Sequence, residues 1–420
     1  MINLEKLTVL NEKQVRDIAK KFGTPTFVYS QNSLEQQADK ALSFPNAFGL
    51  TVRYAMKANP NANILRIFKN KGIHIDASSG YEVSRALAAG IPAKNISLTS
   101  QEMPSTIADG ISFNACSLNQ LEKSSLFPGH EVGVRINPGL GSGGTNRTNT
   151  GGPGSSFGIW HEQLGNIFEI AKKYELNINR IHTHIGSGSD PEVWKKVAEM
   201  SLDIVERFID EGHKIETLNL GGGYKVGRMQ GETSTDLGEC GNPVKEKFER
   251  FYDRTGKKLK LEIEPGTFLV ANAGIVISEV KDVKHTPDYN FIITNSGMTE
   301  VTRPSLYGAQ HPIIVVSKNG TRKSRDNYIV SGHCCESGDI LTPKDRDPEA
   351  LSPRYLDGAS IGDLVIIQGA GAYCSSMSTK NYNSYPEAAE VLIDNNQQNH
   401  LIRRRQTMKQ MLQNEKLIIS

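Results

Sequence analysis

The pattern of apolar and polar positions changes character once along this chain, near residue 266. Before that point, short apolar runs alternate with stretches whose apolar residues recur at helical spacing. Residues 50–57, 72–76, 95–100, 111–115, 131–137, 180–185, 217–220 and 258–264 read as strands. Helical patterns over 33–43, 64–71, 81–89, 118–125, 162–174, 193–210 and 245–255 lie between most of them, and Gly90 supplies one C-terminal stop. Eight such strands over roughly 230 residues suit a (β/α)8 barrel, which takes about 250 residues. A doubly wound open sheet has the same period. The polar residues favour the barrel. Lys57, Asp76, Asn137, His184, Gly221 and Glu264 all fall at or just after the C-terminal end of a strand. A closed barrel gathers those ends on one face, whereas an open sheet gathers only those near its switch point.

Beyond residue 266 the period shortens. Residues 267–283, 290–294, 312–318, 327–331, 363–368 and 390–393 read as strands joined by Gly, Asn, Asp and Pro turns. They predict a β-sandwich or barrel, which Thr24-Pro25-Thr26-Phe27-Val28-Tyr29 can join from the N-terminal side. The expected organisation is an α/β barrel over 32–265 and an all-β domain made of 1–31 and 266–420. Residues 137–158 form a long Gly/Asn/Thr/Ser loop, and loops of that length in compact enzymes usually carry function or move.

Composition narrows the field. Lys and Arg number 48 against 46 Asp and Glu, a net charge of +2 over 420 residues. That balance argues against nucleic acid or another polyanion as partner. No apolar run approaches bilayer length, and Met1-Ile2-Asn3-Leu4-Glu5-Lys6 lacks the apolar stretch of a signal peptide. The cysteines are Cys116, Cys240, Cys334, Cys335 and Cys374, odd in number and matching no zinc spacing, as expected of a reduced, cytoplasmic protein.

The polar residues at the strand ends suggest a chemistry. Lys57 ends one strand and Glu264 ends another. A lysine amine can form a Schiff base with an aldehyde cofactor, and a carboxylate can keep a pyridine nitrogen protonated. Gly221-Gly222-Gly223 follows a strand, either as a backbone cradle for a phosphate or as a tight strand-to-loop turn. His182 and His184 share one strand face, as a metal pair or as one core and one functional histidine; no carboxylate or cysteine accompanies them at ligand spacing, so no metal is expected. His184, at the strand end, can stack on an aromatic cofactor. Cys335, in Cys334-Cys335-Glu336-Ser337-Gly338-Asp339, is either a proton donor or a cysteine beside a turn. Arg303 and Tyr307 offer a fixed cation and a phenol four residues apart; Arg303 is a carboxylate clamp or a surface arginine. Arg403-Arg404-Arg405 reads as a solvated edge.

These segments occur together and in order: Ala55-Met56-Lys57-Ala58-Asn59, His184-Ile185-Gly186-Ser187-Gly188, Gly221-Gly222-Gly223, Glu264-Pro265-Gly266, Arg303-Pro304-Ser305-Leu306-Tyr307, Cys335-Glu336-Ser337-Gly338-Asp339 and Gly371-Ala372-Tyr373. From about Phe22 to about Leu412 the chain resembles the diaminopimelate decarboxylase family, a branch of the fold-type III, alanine-racemase-like pyridoxal-phosphate enzymes. The Cys-Glu-Ser-Gly-Asp segment and Arg147-Thr148-Asn149-Thr150-Gly151-Gly152-Pro153 point to this branch rather than to ornithine decarboxylases or alanine racemases.

The resemblance implies pyridoxal 5'-phosphate as cofactor, with Lys57 as the Schiff-base lysine, His184 on the pyridine ring and Glu264 at its nitrogen. Asp76, Ser187, Gly221, Gly222, Gly223, Gly266, Thr267 and Tyr373 then complete the cofactor site. Arg303, Tyr307, Glu336 and Tyr373 become substrate contacts, and Lys57 and Cys335 the catalytic residues. Cys335 and Glu336 would reach a neighbouring subunit's site, which implies a homodimer. The implied reaction takes meso-2,6-diaminopimelate to L-lysine and CO2. Its rivals are the same chemistry on D-lysine, D-ornithine or carboxynorspermidine, and a non-catalytic homologue that binds cofactor or a partner. One position departs from the family: Thr267 stands where an arginine usually follows Glu-Pro-Gly, so another cation has to compensate or the substrate is held differently.

Overall fold

The computed structural model describes residues 5–127, 132–141, 150–186, 188–321 and 323–418. The chain forms two compact units. One comprises Leu34–Val226 and Thr233–Leu269; the other gathers the N-terminal segment through Ser33, Gly227–Glu232 and the chain from Val270 onward.

In the first unit eight parallel strands close into a ring. They are β1 Leu50–Ala55, β2 His74–Ala77, β3 Ile96–Thr99, β4 Ser112–Ala115, β5 Val132–Asn137, β6 Ile178–Thr183, β7 Thr217–Asn219 and β8 Lys260–Ile263. Each pairs with the next, and β8 returns to β1 with Leu261 opposite Leu50 and Ile263 opposite Val52. The closed barrel is formed, and the open sheet is excluded.

Side chains alternate across each strand. One set is apolar and buried, such as Tyr54, Ile75, Leu98, Val134, Ile181 and Leu218. The alternate positions are also buried but polar, among them Arg53, Asn114, Arg180 and Glu262. This filling differs from the branched aliphatic layers common in such barrels. It is stable because charge is matched. Glu262 lies between two arginines, with Oε1 2.8 Å from Arg53 Nη2 and Oε2 3.4 Å from Arg180 Nε. Burial raises the Glu262 pKa, but the two guanidiniums outweigh it and hold the carboxyl below its ordinary value.

Helix starts follow the capping residues. Ser79, Ser117 and Asp190 each accept from a backbone N–H in the first turn of Gly80–Ala88, Leu118–Ser124 and Pro191–Asp210. The last helix of the unit begins at Leu237 and runs to Thr255, well upstream of the predicted start at 245. Gly238, Gly241 and Pro243 obscured its period in the sequence. Asp236 starts it by accepting from Gly238 N and Glu239 N at 2.8 and 3.0 Å. Gly241 is needed for contact, since a Cβ there would lie 2.4 Å from Pro45 Cδ.

The second unit is built on a nine-stranded sheet. Thr26–Ser30 runs parallel to Ala389–Ile393 and antiparallel to Gly274–His285, so the N-terminal segment enters the sheet interior as predicted. Val28, Ile275, Ile277, Ile366 and Val391 pack with Val15 and Ile18 of the helix Glu12–Phe22, an element that the sequence pattern does not predict. The predicted strand over 267–283 is corrected at its start. Thr267–Val270 is a helical turn, Ala271–Ala273 a 3-10 turn, and the strand begins at Gly274. The backbone of Gly371 causes the delay: its N donates to Ala271 O at 2.9 Å, and this close approach requires glycine. The arginine run is not a free edge either. Arg403 pairs with Glu387 and Glu390 at 3.0 and 2.9 Å, and Arg405 Nη2 donates to Pro25 O at 2.7 Å.

Glu262→Gln leaves two buried guanidiniums without their counter-charge and is expected to cost about 3–5 kcal/mol, measurable by urea unfolding. The sign of the pH effect follows from the depressed folded pKa. The stability that Glu262 contributes is full above the ordinary carboxylate pKa and is lost as pH falls through the folded value. The acid-side loss of stability should therefore shrink in the variant.

Candidate active site

The C-terminal ends of the barrel strands place most of the predicted residues. β1 runs into a 3-10 turn, Met56–Ala58, which carries Lys57. The turn is fixed from beneath, because Tyr54 Oη donates to Asn59 O at 2.9 Å and Ala55 N donates to Pro265 O at 3.3 Å. Lys57 itself is exposed. Its charge bears on Asp76 and on His184.

Glu264, directly after β8, is buried but doubly held. Asn219 Nδ2 donates to its Oε1 at 2.6 Å, and His182 Nε2 lies 3.1 Å from its Oε2. Burial works against ionisation, but His182 and the Asn219 amide hold the Glu264 pKa well below the usual carboxylate range. Asp76 on β2 goes the other way. Burial first, then the Glu264 charge, push its pKa well above the ordinary value, and its Oδ1 has no hydrogen-bond partner among the described residues. Two carboxyls at one barrel mouth have been driven apart in pKa by their surroundings.

His182 and His184 share a face, yet they take different partners. His182 faces Glu264, whereas His184 Nδ1 accepts from Gly222 N at 3.1 Å. That bond places the ring proton of a neutral His184 on Nε2. Burial, then the Arg135 and Lys57 charges, push the His184 pKa well down, so the imidazole is neutral.

The glycine run is tightly enclosed. A Cβ at Gly221 would come 2.5 Å from His184 Nδ1, and one at Gly222 would come 2.0 Å from Glu264 O. Gly221 also has φ +71. Its N–H donates to Asn219 Oδ1 at 2.8 Å, and Glu264 N donates back to Gly221 O at 2.7 Å. A backbone this close to an ionised carboxylate, a neutral imidazole and an exposed lysine fits a ring with a phosphate arm, the shape of pyridoxal phosphate. Gly266 is similarly confined against Ala55, and Thr267 opens the helical turn that follows it. Asn219 was missed in the sequence because it reads as an ordinary strand residue. Its position two residues before Gly221 was the available signal. Ser187 and loop residues Arg147, Thr148 and Asn149 lie outside the described residues.

The remaining predicted residues belong to the second unit. Arg303 and Tyr307 lie on the short helix Arg303–Tyr307. Arg303 Nη1 donates to His311 Nε2 at 2.9 Å, and Tyr307 Oη lies 4.0 Å from Met377 Sδ. Tyr373 has φ +56, an uncommon conformation for a non-glycine residue. Cys335 and Glu336 are exposed on a loop with a rigid base. Asp339 accepts there from Met298 N and Cys334 N at 2.6 and 2.9 Å. Cys335 N donates to Asn383 Oδ1 at 2.7 Å. Asn381, Asn383 and Ser384 all have positive φ, so this supporting segment stores backbone strain. The five cysteines are free, Cys334 and Cys335 included.

Comparison with known proteins agrees with this geometry. The family model for the pyridoxal-dependent decarboxylase, pyridoxal binding domain, matches residues 32–271. A diaminopimelate decarboxylase of Buchnera aphidicola subsp. Schizaphis graminum is 37% identical over 423 residues, covering 97% of this chain and 98% of the relative. Among solved structures, a crystal structure of a diaminopimelate decarboxylase superposes with TM-score 0.88 at 33% identity, over 98% of both chains. The M. jannaschii diaminopimelate decarboxylase in co-complex with L-lysine gives TM-score 0.85 at 27% identity, over 96% of this chain and 94% of that one.

Gly222→Ala is expected to displace Glu264 and to cost about 1–3 kcal/mol, the usual range for overpacking. Thermal unfolding measures it. A change within about 0.5 kcal/mol would mean the backbone yields and the enclosure is loose.

Proposed function

The chain belongs to the pyridoxal-dependent decarboxylases, and we propose that it acts there on meso-2,6-diaminopimelate, releasing CO2 and forming L-lysine. One observation carries the reading. At a single barrel mouth, exposed Lys57 and ionised Glu264 both bear on neutral His184, beside a glycine backbone that admits no side chain. The near-full-length likeness to diaminopimelate decarboxylases selects the substrate.

When bound, pyridoxal phosphate supplies an aldehyde for an amine and a pyridine ring that accepts the electron pair left as CO2 departs. In our reading Lys57, exposed at the barrel mouth, would be the residue that anchors the cofactor through its amine. Glu264 keeps the proton on the pyridine nitrogen through a charge-assisted hydrogen bond, so the ring can take that pair. His184, neutral and oriented by Gly222 N–H, offers a flat face to the ring. The backbone of Gly221, Gly222, Gly223 and Gly266 binds the phosphate, with Asp76, Thr267 and Tyr373 also contributing. Arg303, Tyr307, Tyr373 and Glu336 bind the substrate. Cys335 or Lys57 returns a proton to the α-carbon.

Cys335 and Glu336 are exposed on this chain although their loop is rigidly held. We read them as completing the site of a second copy, so the active form is a homodimer. No helix among the described residues is long and apolar enough to cross a membrane.

CO2 release from meso-diaminopimelate, D-lysine and D-ornithine tests the substrate. Preference for diaminopimelate by about tenfold or more in kcat/KM is expected, and equal efficiency on all three would leave only a broader D-amino-acid decarboxylase. Lys57→Ala should abolish turnover and borohydride fixation of the cofactor to the protein. Glu264→Gln should retain cofactor but lose at least about tenfold in kcat, roughly 1.4 kcal/mol of barrier; a loss under threefold would remove that role from the carboxylate.

Cys335→Ala and Lys57→Ala subunits, each inactive alone, should regain activity when mixed and exchanged. Mixed dimers that form but stay inactive would place each site within a single chain.

A further inference from the structure

The loop that carries Cys335 and Glu336 is rooted on two buried carboxyls, Asp339 and Glu300, and no lysine or arginine among the described residues pairs with either. Acids so enclosed normally face a cation. The backbone accounts for Asp339. A Cβ at Gly297 or Gly332 would collide with its carboxyl, so two glycines leave it room. From there it accepts from Met298 N and Cys334 N at 2.6 and 2.9 Å, which ties the turn before Thr299 to the start of the loop. Those donors offset part of the burial that raises its pKa.

Glu300 is held differently. Its Oε2 accepts from Gly297 N at 3.1 Å and lies 2.7 Å from Thr299 Oγ1, which lies 2.7 Å from His333 Nε2. The His333 ring stacks on Tyr385 with centroids 3.6 Å apart, and Tyr385 Oη donates to His333 O at 3.2 Å. Glu300, Thr299 and His333 thus form a hydrogen-bonded row that ends two residues before Cys335. A hydroxyl has one proton to give, so the row runs one way at a time. With Glu300 protonated, it donates to Thr299 and Thr299 donates to His333 Nε2. With that proton lost to water, His333 Nε2–H donates to Thr299 and Thr299 to the carboxylate. The surroundings favour the first state. Burial lowers the His333 pKa to about 4, so the ring brings no charge. Asp339 is a like charge, Cys334 and Glu336 bring no positive one, and Arg405 Nη2 is spent on Pro25 O and Thr26 Oγ1. Burial first, then the Asp339 charge, push the Glu300 pKa up to about 7 against the pull of its hydrogen bonds and of Arg405.

We propose that Glu300, Thr299 and His333 form a proton-linked brace for the Cys335–Glu336 loop, firm while Glu300 keeps its proton and weak once it ionises. They are positioning residues, acting on Cys335 and Glu336 through the backbone between them. The inference deepens the proposed function and rests on it for the effect on turnover, though not for the brace itself. A second charge at the root would repel Asp339, the group that holds the Cys334 N–H. The folded Glu300 pKa lies above the ordinary carboxylate value. The stability it contributes is therefore full below that value and is lost as pH rises through about 7. An opening that frees one such group becomes easier by about tenfold per pH unit between about 5 and 7 and levels off above.

Amide hydrogen exchange of the holoenzyme, followed by mass spectrometry over about pH 5–8 and corrected for the intrinsic rate of exchange, tests the brace. Protection of residues 333–336 should fall with that slope and then level off. Glu300→Gln, which keeps the shape without the charge, should hold protection within about twofold over the whole range, since no proton is exchanged. Thr299→Val cuts the row, so the loop opens without freeing Glu300; the slope should vanish at 333–336 and remain at 297–300. The same variant should lower kcat by about two- to tenfold, the span of one neutral hydrogen bond, with pyridoxal phosphate affinity unchanged. Thr299→Ser should restore both. If Glu300→Gln fails to fold, the Thr299 pair carries the test. No slope in the unmodified protein overturns the brace. So does a slope kept in Glu300→Gln, or one shared equally by the strand Asp326–Ser331, which would mean that the whole unit loosens. The expected slopes in a protein that releases no CO2 from diaminopimelate would defeat the reaction reading and leave the brace standing.

Discussion

The barrel mouth depends on one amide, that of Asn219. Its Nδ2 donates to Glu264 Oε1 at 2.6 Å and reaches Glu262 Oε2 at 3.4 Å, while its Oδ1 accepts from Gly221 N at 2.8 Å. One side chain therefore links the charged interior, the carboxylate at the open end and the start of the glycine run. Glu262 and Glu264 are two residues apart on one strand path, so they point the same way. Without partners, two such carboxylates at short range would not both stay ionised. Arg53 and Arg180 stabilise the first, and His182 and Asn219 the second. The polar barrel interior is the foundation that lets Glu264 carry a charge where it is needed.

The same logic explains why the neighbouring groups are neutral. Asp76 shares the mouth with an ionised carboxylate and is pushed toward its protonated form. His184 lies among positive charges and is pushed toward its neutral form. One charge is kept and two are suppressed, and the assignments follow from burial and neighbours rather than residue type. A site that must hold a pyridine nitrogen protonated needs this asymmetry. A second full negative charge would compete for the same proton.

Much of this was legible in the order of residues. The eight strand patterns, the return of Thr26–Ser30 into the second sheet, and the placing of Lys57, His184 and Glu264 at strand ends all follow from periodicity. Where the reading failed, a local signal was overruled by a contact from afar. The run after Gly266 is apolar and β-branched, yet Gly371 turns its first residues into helical turns. The helix from Leu237 contains glycines and a proline, yet its Asp236 cap and the close contact of Gly241 with Pro45 keep it helical.

By itself, the sequence determined which residues could do chemistry and which ends of which strands would carry them, because strand period and residue type are local properties. Only the tertiary structure decided their charge states and partners. Whether Glu264 is ionised, which group His182 faces, and whether the Arg228 guanidinium is solvated or partly enclosed depend on what surrounds each group within a few ångströms. Those neighbours come from distant parts of the chain: Asn219 and His182 for Glu264, Gly369 and Arg303 for Arg228. Electrostatic energy depends on distance and solvent exclusion, and neither can be read from spacing along a chain.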